Sequence, residues 1–181
     1  MGQHRVLKRG TLLIVLAPLL LLQLALAIGS MRGDSATDDE PPHLAAGYLK
    51  LTQGYVSFYR YNPPLGDCLL AVPLLFAQVH LPANWRSESN PWNVGKALLY
   101  RSGNDADRVL FLARLPALAC FVALSFVAAL VAWRTTRREL AAVVAYTLTA
   151  FCPNLMAHGR LATNDIELTL FLSIAALLLI E

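Results

Sequence analysis

Two adjacent carboxylates, Asp39 and Glu40, are the first residues along this sequence whose type and position could do chemistry. A carboxylate within hydrogen-bond reach of an attacking hydroxyl can accept its proton, so either residue is a candidate general base. The pair precedes Pro41 and Pro42, and an acid followed by prolines is also typical of a helix start, where it caps the helix. Both interpretations are open from the residues, and a helix N-terminus would help to keep Asp39 ionised.

Other ionisable residues lie beside apolar segments. Arg160 and Asp165 flank a short polar link, and Arg114 begins an apolar run. Such groups near membrane depth are often functional, but snorkelling or mutual pairing explains them equally well. Arg114 is suited to a lipid phosphate or to a substrate phosphate. His43 follows Asp39 by four residues without a further His or Cys nearby, and no CxxC pair occurs, so the sequence predicts no metal site.

The elements that must position these residues are long apolar blocks. The chain has 181 residues, of which 56% are hydrophobic, and blocks of this kind are tolerated by lipid rather than by water. We therefore predict an all-α, multi-pass integral membrane protein with about four transmembrane helices. A cleaved signal peptide is the alternative for the first segment, because Ala25 and Ala27 form a small-x-small site. The predicted spans are residues 12–28, 115–133, 140–157 and 168–180.

Three regions follow from these spans. Residues 1–30 form a basic cytoplasmic head and the first span, residues 31–112 a non-cytoplasmic loop, and residues 113–181 the later spans. In the loop, apolar residues recur at helical spacing after Asp39, which predicts an amphipathic helix on the membrane surface. The residues that give this spacing are Leu44, Tyr48, Leu51 and Tyr55.

The topology depends on residues 65–81, an apolar stretch interrupted by Asp67 and Gln78. If this stretch does not cross the bilayer, the basic head and a later arginine cluster both lie in the cytoplasm, as the positive-inside rule prefers. We therefore interpret it as interfacial or re-entrant. Asp39 and the link at residues 158–165 then face the same non-cytoplasmic side.

The final apolar segment is short for a span. Residues 168–180 would reach about 20 Å as a helix, against roughly 30 Å of hydrocarbon. We therefore predict that the sequence is an N-terminal fragment or a truncated product. Charged residues are scattered without a basic, aromatic-rich patch, so nucleic acid is not a predicted partner.

Four segments together resemble one family. Residues 39–48, 62–65, 113–116 and 153–165 read DEPPHLAAGY, NPPL, ARLP and PNLMAHGRLATND. In order and spacing they resemble the first external loop and the following spans of the dolichyl-phosphate-mannose protein mannosyltransferases (glycosyltransferase family 39, GT-C fold). Asn62 stands where that family has His, so no role of that His carries over.

The resemblance implies transfer of a sugar, with mannose expected, from a polyprenyl-phosphate donor to a hydroxyl of a protein, lipid or glycan. It implies inversion at the sugar, no cofactor, and a site on the non-cytoplasmic face of a bacterial inner membrane or an ER membrane. Asp39 would be the general base, and Glu40 would orient it or the acceptor. The substrate- and phosphate-binding residues would be Arg114, Arg160, Asp165 and His43.

Two alternatives stay open. An inactive membrane subunit or remnant would share this architecture without turnover. A transporter fragment would explain Arg160 and Asp165, although transporters place such residues in mid-span rather than in a link. Because the family continues with further spans that complete its lipid-carrier groove, we expect the 181-residue product alone to be inactive. We also expect membrane lipids to be among its partners.

Overall fold

The computed structural model describes residues 9–180, with side chains from residue 14 to residue 179. This part of the chain consists of helices and turns and contains no strand, which confirms the predicted all-α class for it. Its helices are α1 (Arg9–Met31), α2 (Glu40–Gln53), α3 (Pro64–Ala71) with a 3₁₀ turn (Val72–Phe76), α4 (Pro91–Tyr100), α5 (Ala106–Thr136), α6 (Glu139–Ala150), α7 (Pro153–His158) and α8 (Asp165–Ile180).

Two of the described helices, α1 over Ile14–Met31 and α5 over Ala106–Thr136, are long and apolar enough to cross a membrane, with mean hydropathies of 2.3 and 2.5. A buried core helix or a signal sequence meets the same criterion. Helix α5 begins well before the predicted residue 115, because Asp105 caps it by accepting a hydrogen bond from the Arg108 amide at 3.1 Å. Pro116 lies inside this helix without ending it.

The structure interrupts the single helix that we predicted over residues 140–157. Helix α6 ends at Ala150, and α7 starts at Pro153 after an extended Cys152. Proline has no backbone N–H and clashes with the preceding turn, so it starts a new helix more readily than it continues one. The 12 residues of α6 extend only about 18 Å.

Helix α2 begins at Glu40 with prolines in its first turn, as predicted. The predicted surface placement is wrong, because every residue of α2 from Glu40 to Lys50 is buried inside the protein. Helices α3 and α4 pack against it on two sides. Of the four residues that gave the helical spacing, Leu44 and Tyr48 are buried in the protein, whereas 39% of Leu51 and 42% of Tyr55 are exposed.

Two glycines permit this close packing of α2. A Cβ on Gly47 would lie 1.9 Å from the carbonyl oxygen of Asp67 in α3, and a Cβ on Gly95 would lie 2.1 Å from that of Pro41. Backbone atoms cannot move aside as the end of a side chain can. The separation between α2 and its neighbours is therefore set by these glycines.

We expect Gly47→Ala to lower the free energy of unfolding by about 1–3 kcal/mol, because the added methyl group forces α2 and α3 apart. Denaturant titration in detergent micelles measures this. Gly29→Ala is the matched control, since Gly29 is also helical and nothing lies within 4 Å of its Cβ position. That variant should be neutral or more stable by about 0.5–1 kcal/mol, and equal losses in both would contradict the packing argument.

Residues near both ends of the 65–81 segment bind α2. Lys50 of α2 contacts Asp67 in α3, and the Tyr48 hydroxyl donates to the Val79 carbonyl at 3.1 Å. The 8 residues of α3 and the 5 of the 3₁₀ turn extend about 22 Å at their usual rises. The chain is extended again at Ala77. This length is short for a crossing, and the interfacial interpretation stays a prediction.

The core lies where α2, α3 and α4 meet the first half of α5, with Leu44, Leu70 and Leu98 fully buried. A second cluster joins α1, the middle of α5 and α8 around Phe121 and Ile166. Together these clusters hold the first turn of α2 against the link between α7 and α8.

Candidate functional site

The first turn of α2 carries a buried ion pair. Glu40 is fully buried, and Arg114 of α5 is 1% exposed. The Arg114 Nε and Nη2 atoms donate to the two Glu40 carboxylate oxygens, both at 2.8 Å. The Glu40 oxygens also accept hydrogen bonds from the backbone amides of Ala162 and Thr37, both at 2.9 Å. This carboxylate is therefore fully engaged inside the protein.

The remaining donors of Arg114 bind the loop before α2. Its Nη1 donates to the carbonyls of Met31 and Asp34, both at 3.0 Å, and its Nη2 also donates to that of Ser35 at 3.1 Å. Arginine has five N–H groups, and these contacts with Glu40 and the loop use all of them. In this arrangement Arg114 fastens the loop, and it has no N–H left for the phosphate predicted from the sequence.

The pair gives the fold a pH dependence. Burial raises the pKa of Glu40, but hydrogen bonds from Arg114, Ala162 and Thr37 outweigh it, so the pKa lies below the ordinary 4.5. A carboxyl with a lowered folded-state pKa stabilises the fold above its unfolded pKa and loses this contribution as the pH falls through the folded one. We expect the melting temperature to decrease as the pH is lowered past about 5. The decrease should be smaller in Glu40→Gln, which has no carboxylate at this position to protonate. An equal acid loss in that variant would contradict this assignment.

Asp39 differs from its neighbour. It is exposed, it occupies the N-cap position of α2, and its side chain makes no capping hydrogen bond. An N-cap side chain accepts from the amides of the second or third helical residue, which here are Pro41 and Pro42 and have no N–H. The capping interpretation of Asp39 is therefore wrong. Within residues 14–179 its carboxylate has no hydrogen-bond or ion-pair partner.

A second buried polar cluster surrounds Asp67 of α3. Asp67 is fully buried and contacts His43 Nδ1 at 2.7 Å, Asn164 Nδ2 at 3.0 Å and the Lys50 ammonium group. With Lys50 beside it, we treat Asp67 as a carboxylate, which only accepts hydrogen bonds, so we assign His43 Nδ1 as the donor. His43 thus binds Asp67, and its role in binding the substrate phosphate stays a prediction. The sequence signal for this cluster was Asp67 itself, an isolated charge in an apolar stretch.

Tyr59 packs against His43 of this cluster. Its backbone has a φ of 56°, rare for a residue with a side chain, and its ring contacts His43 and Trp92 edge-on, with centroids 5.4 and 5.5 Å away. The pKa of the Tyr59 hydroxyl is raised, first by burial and then by the negative charges of Asp39 and Asp67. A hydrogen bond with Asn62 lowers this pKa but does not outweigh them. Tyr59 therefore stays protonated over a wider pH range than a free tyrosine.

The link between α7 and α8 contacts the same region. The Ala162 amide binds Glu40 directly, and Arg160 forms an ion pair with Asp34 in the loop before α2. Asp165 instead pairs with His158 at 3.1 Å, so it contacts neither predicted arginine. The structure thus brings Glu40, Arg114 and the link together, while His43 and Asp165 bind other partners.

Within the described residues, no group of three or more His, Cys, Asp or Glu side chains is arranged to hold a metal ion. Comparison of the chain with protein-family models, with curated proteins and with solved structures finds no match. Over residues 9–180 the fold is all-helical, and the site combines the exposed carboxylate of Asp39 with the buried Glu40–Arg114 ion pair. The likeness to the mannosyltransferases remains that of the four sequence segments.

Proposed function

We propose that this chain forms part of a membrane glycosyltransferase that transfers a sugar from a polyprenyl-phosphate donor to a hydroxyl acceptor. The observation that carries the proposal is the contrast between Asp39 and Glu40. One carboxylate is exposed and without a partner, and the next is fixed by Arg114 and by the link. A free base held by a rigid neighbour is what proton abstraction from an acceptor requires.

The reaction is a single displacement. The Asp39 carboxylate takes the proton of the acceptor hydroxyl while the acceptor oxygen bonds to the anomeric carbon of the sugar. The bond from that carbon to the phosphate oxygen breaks on the opposite face, and polyprenyl phosphate leaves with the electron pair. Phosphate is a good leaving group, so positive charge near it matters more than a general acid.

Glu40 and Arg114 act as positioning residues in this account. Their ion pair holds the start of α2 and the loop before it, and hence the backbone of Asp39. Arg160 is the predicted phosphate ligand that keeps access to solvent, with 25% of its side chain exposed beside Asp34.

The proposal includes a multi-pass topology. Helices α1 and α5 would cross the bilayer, with α6, α7 and α8 as further membrane segments. The N-terminus of α2 and the α7–α8 link would face the non-cytoplasmic side, in a bacterial inner membrane or an ER membrane. The acceptor would be a hydroxyl of a protein, lipid or glycan, and mannose is the sugar that the resemblance favours.

The test uses membranes of cells that express the whole glycosyltransferase of which we propose this chain to be a part. Radiolabelled polyprenyl-phosphate mannose is added, and label in acceptor material is measured together with released polyprenyl phosphate. We expect both to rise in equal amounts above membranes without the gene product. A non-catalytic membrane subunit, the alternative, would consume no donor, and that result would contradict the proposal.

A further inference from the structure

A cleft of about 260 Å³ lies beside the Glu40–Arg114 pair, where the end of α1 meets the first turns of α5. The side chains of two arginines on its wall, Arg32 and Arg108, play no part in the contacts described so far. Both are exposed, and neither forms an ion pair with a described residue.

Phe111 lines the cleft together with these two arginines and contacts one of them. The Arg32 guanidinium carbon lies 6.0 Å from the centre of the Phe111 ring, within the range of a cation–π contact. Arg108 is three residues before Phe111 on α5, so the two side chains share one face of that helix. Phe111 is itself half-buried against α1 and α5. The cleft is therefore lined by one aromatic ring and by two arginines without an ion-pair partner among the described residues.

The charges that line the cleft leave it positive. Arg114 is paired with Glu40, and Asp34 is paired with Arg160. Asp107 is then the one carboxylate lining the cleft that forms no ion pair with a described residue, against the two guanidinium groups of Arg32 and Arg108. Guanidinium groups bind phosphate through paired N–H donors, so an anionic phosphate group is the ligand that this wall favours.

The position of the cleft indicates where the phosphate comes from. It lies at one end of both helices that are long enough to cross a membrane, directly after Met31 of α1 and near Ala106 of α5. Lipid headgroups lie at that level, and Phe111 offers an apolar surface to the start of a lipid chain. We propose that Arg32 and Arg108 form a binding site for the phosphate of a membrane lipid.

This site supplies the phosphate contact for which Arg114 has no free donor. The choice of polyprenyl phosphate among membrane lipids rests on the proposed function, whereas the anion site itself does not. Binding can be measured without turnover. A chain that binds the lipid through these arginines but never transfers sugar would defeat the proposed function and leave the site standing.

The test places the 181-residue chain in nanodiscs of phosphatidylcholine and titrates three probes: polyprenyl phosphate, phosphatidylglycerol and inorganic phosphate. We expect polyprenyl phosphate to bind most tightly. Arg32→Gln and Arg108→Gln should each weaken it roughly tenfold, as expected for the loss of a charged hydrogen bond. Asp107→Asn should tighten it about threefold, because a repelling charge is removed.

Arg86→Gln is the matched control. Arg86 is also exposed and also lies over an aromatic ring, that of Trp85 at 4.8 Å, but it is outside the cleft. Its substitution should leave the Kd unchanged. Wild-type affinity in both cleft variants, or an equal loss in Arg86→Gln, would overturn the site. Equal affinity for phosphatidylglycerol or inorganic phosphate would overturn the assignment of the site to polyprenyl phosphate. Thermal melts equal to that of the wild type would show that the variants are folded.

Discussion

Asp39→Asn should reduce sugar transfer by about 10²–10⁴-fold, the usual contribution of a positioned general base. The amide has nearly the shape of the carboxylate but cannot take the proton of the acceptor hydroxyl. Because the Asp39 side chain makes no capping hydrogen bond, its replacement should leave the free energy of unfolding within about 0.5 kcal/mol of the wild type. Initial rates with radiolabelled donor and a parallel denaturant titration measure both.

Asp38→Asn is the control for this substitution. Asp38 is the adjacent residue, with 76% of its side chain exposed, and its ion pair with Lys96 is also open to solvent. Transfer by this variant should stay within about twofold of the wild type, because exposed pairs contribute little. A rate near the wild-type value in Asp39→Asn, or the same loss in both variants, would show that Asp39 is not the base.

Glu40→Ala should lower the free energy of unfolding by about 3–5 kcal/mol, because it leaves the Arg114 guanidinium buried without its counter-ion. It also leaves the Ala162 and Thr37 amides without their acceptor. Sugar transfer should fall as well, since the loop before α2 would lose its fastening. Reversible denaturation in detergent micelles gives the stability, with Asp38→Ala as the control that changes it by less than about 1 kcal/mol.

A double-mutant cycle separates the pair from its surroundings. The loss in Glu40→Ala combined with Arg114→Met should be smaller than the sum of the two single losses by at least about 1 kcal/mol. Residues in one hydrogen-bond network couple in this way, because the second substitution removes the charge that the first left unpaired. Additive losses would contradict a direct interaction between Glu40 and Arg114.

The start of α2 shows which features of this site could be predicted from the sequence. An acid followed by Pro41 and Pro42 predicted the helix start correctly. The same two prolines also exclude capping by Asp39, because they occupy the positions whose amides a cap would need. That second deduction was available from the sequence and would have favoured Asp39 as a free carboxylate. Helix α4 was also readable, since Asn90 before Pro91 is a start signal of the same kind.

Burial of α2 could not be predicted from its own residues. Helical periodicity identifies one apolar face, but α3 and α4 cover two sides of this helix. Whether a neighbour can approach the other side depends on Gly47 and Gly95, and their partners lie elsewhere in the chain. The spacing of Leu44 and Tyr48 therefore identified apolar residues that are buried, but it gave a membrane surface where the structure has α3, α4 and α5 around them.

The role of Arg114 also could not be predicted from the sequence. An arginine at the start of an apolar run predicts a charged contact, and the sequence favoured a phosphate. Its partners are Glu40 and three backbone carbonyls, all more than seventy residues away along the chain. Backbone carbonyls carry no sequence signal, so only the folded structure shows that all five donors are taken.

The central claim is that the N-terminus of α2 and the α7–α8 link share one side of a membrane and hence one site. Single cysteines at positions 38, 158 and 137, in a chain whose three native cysteines are replaced by alanine, test it with a membrane-impermeant thiol reagent in sealed vesicles. We expect positions 38 and 158 to be labelled from the same face and position 137 only after the membrane is opened. Labelling of positions 38 and 158 from opposite faces would contradict the account.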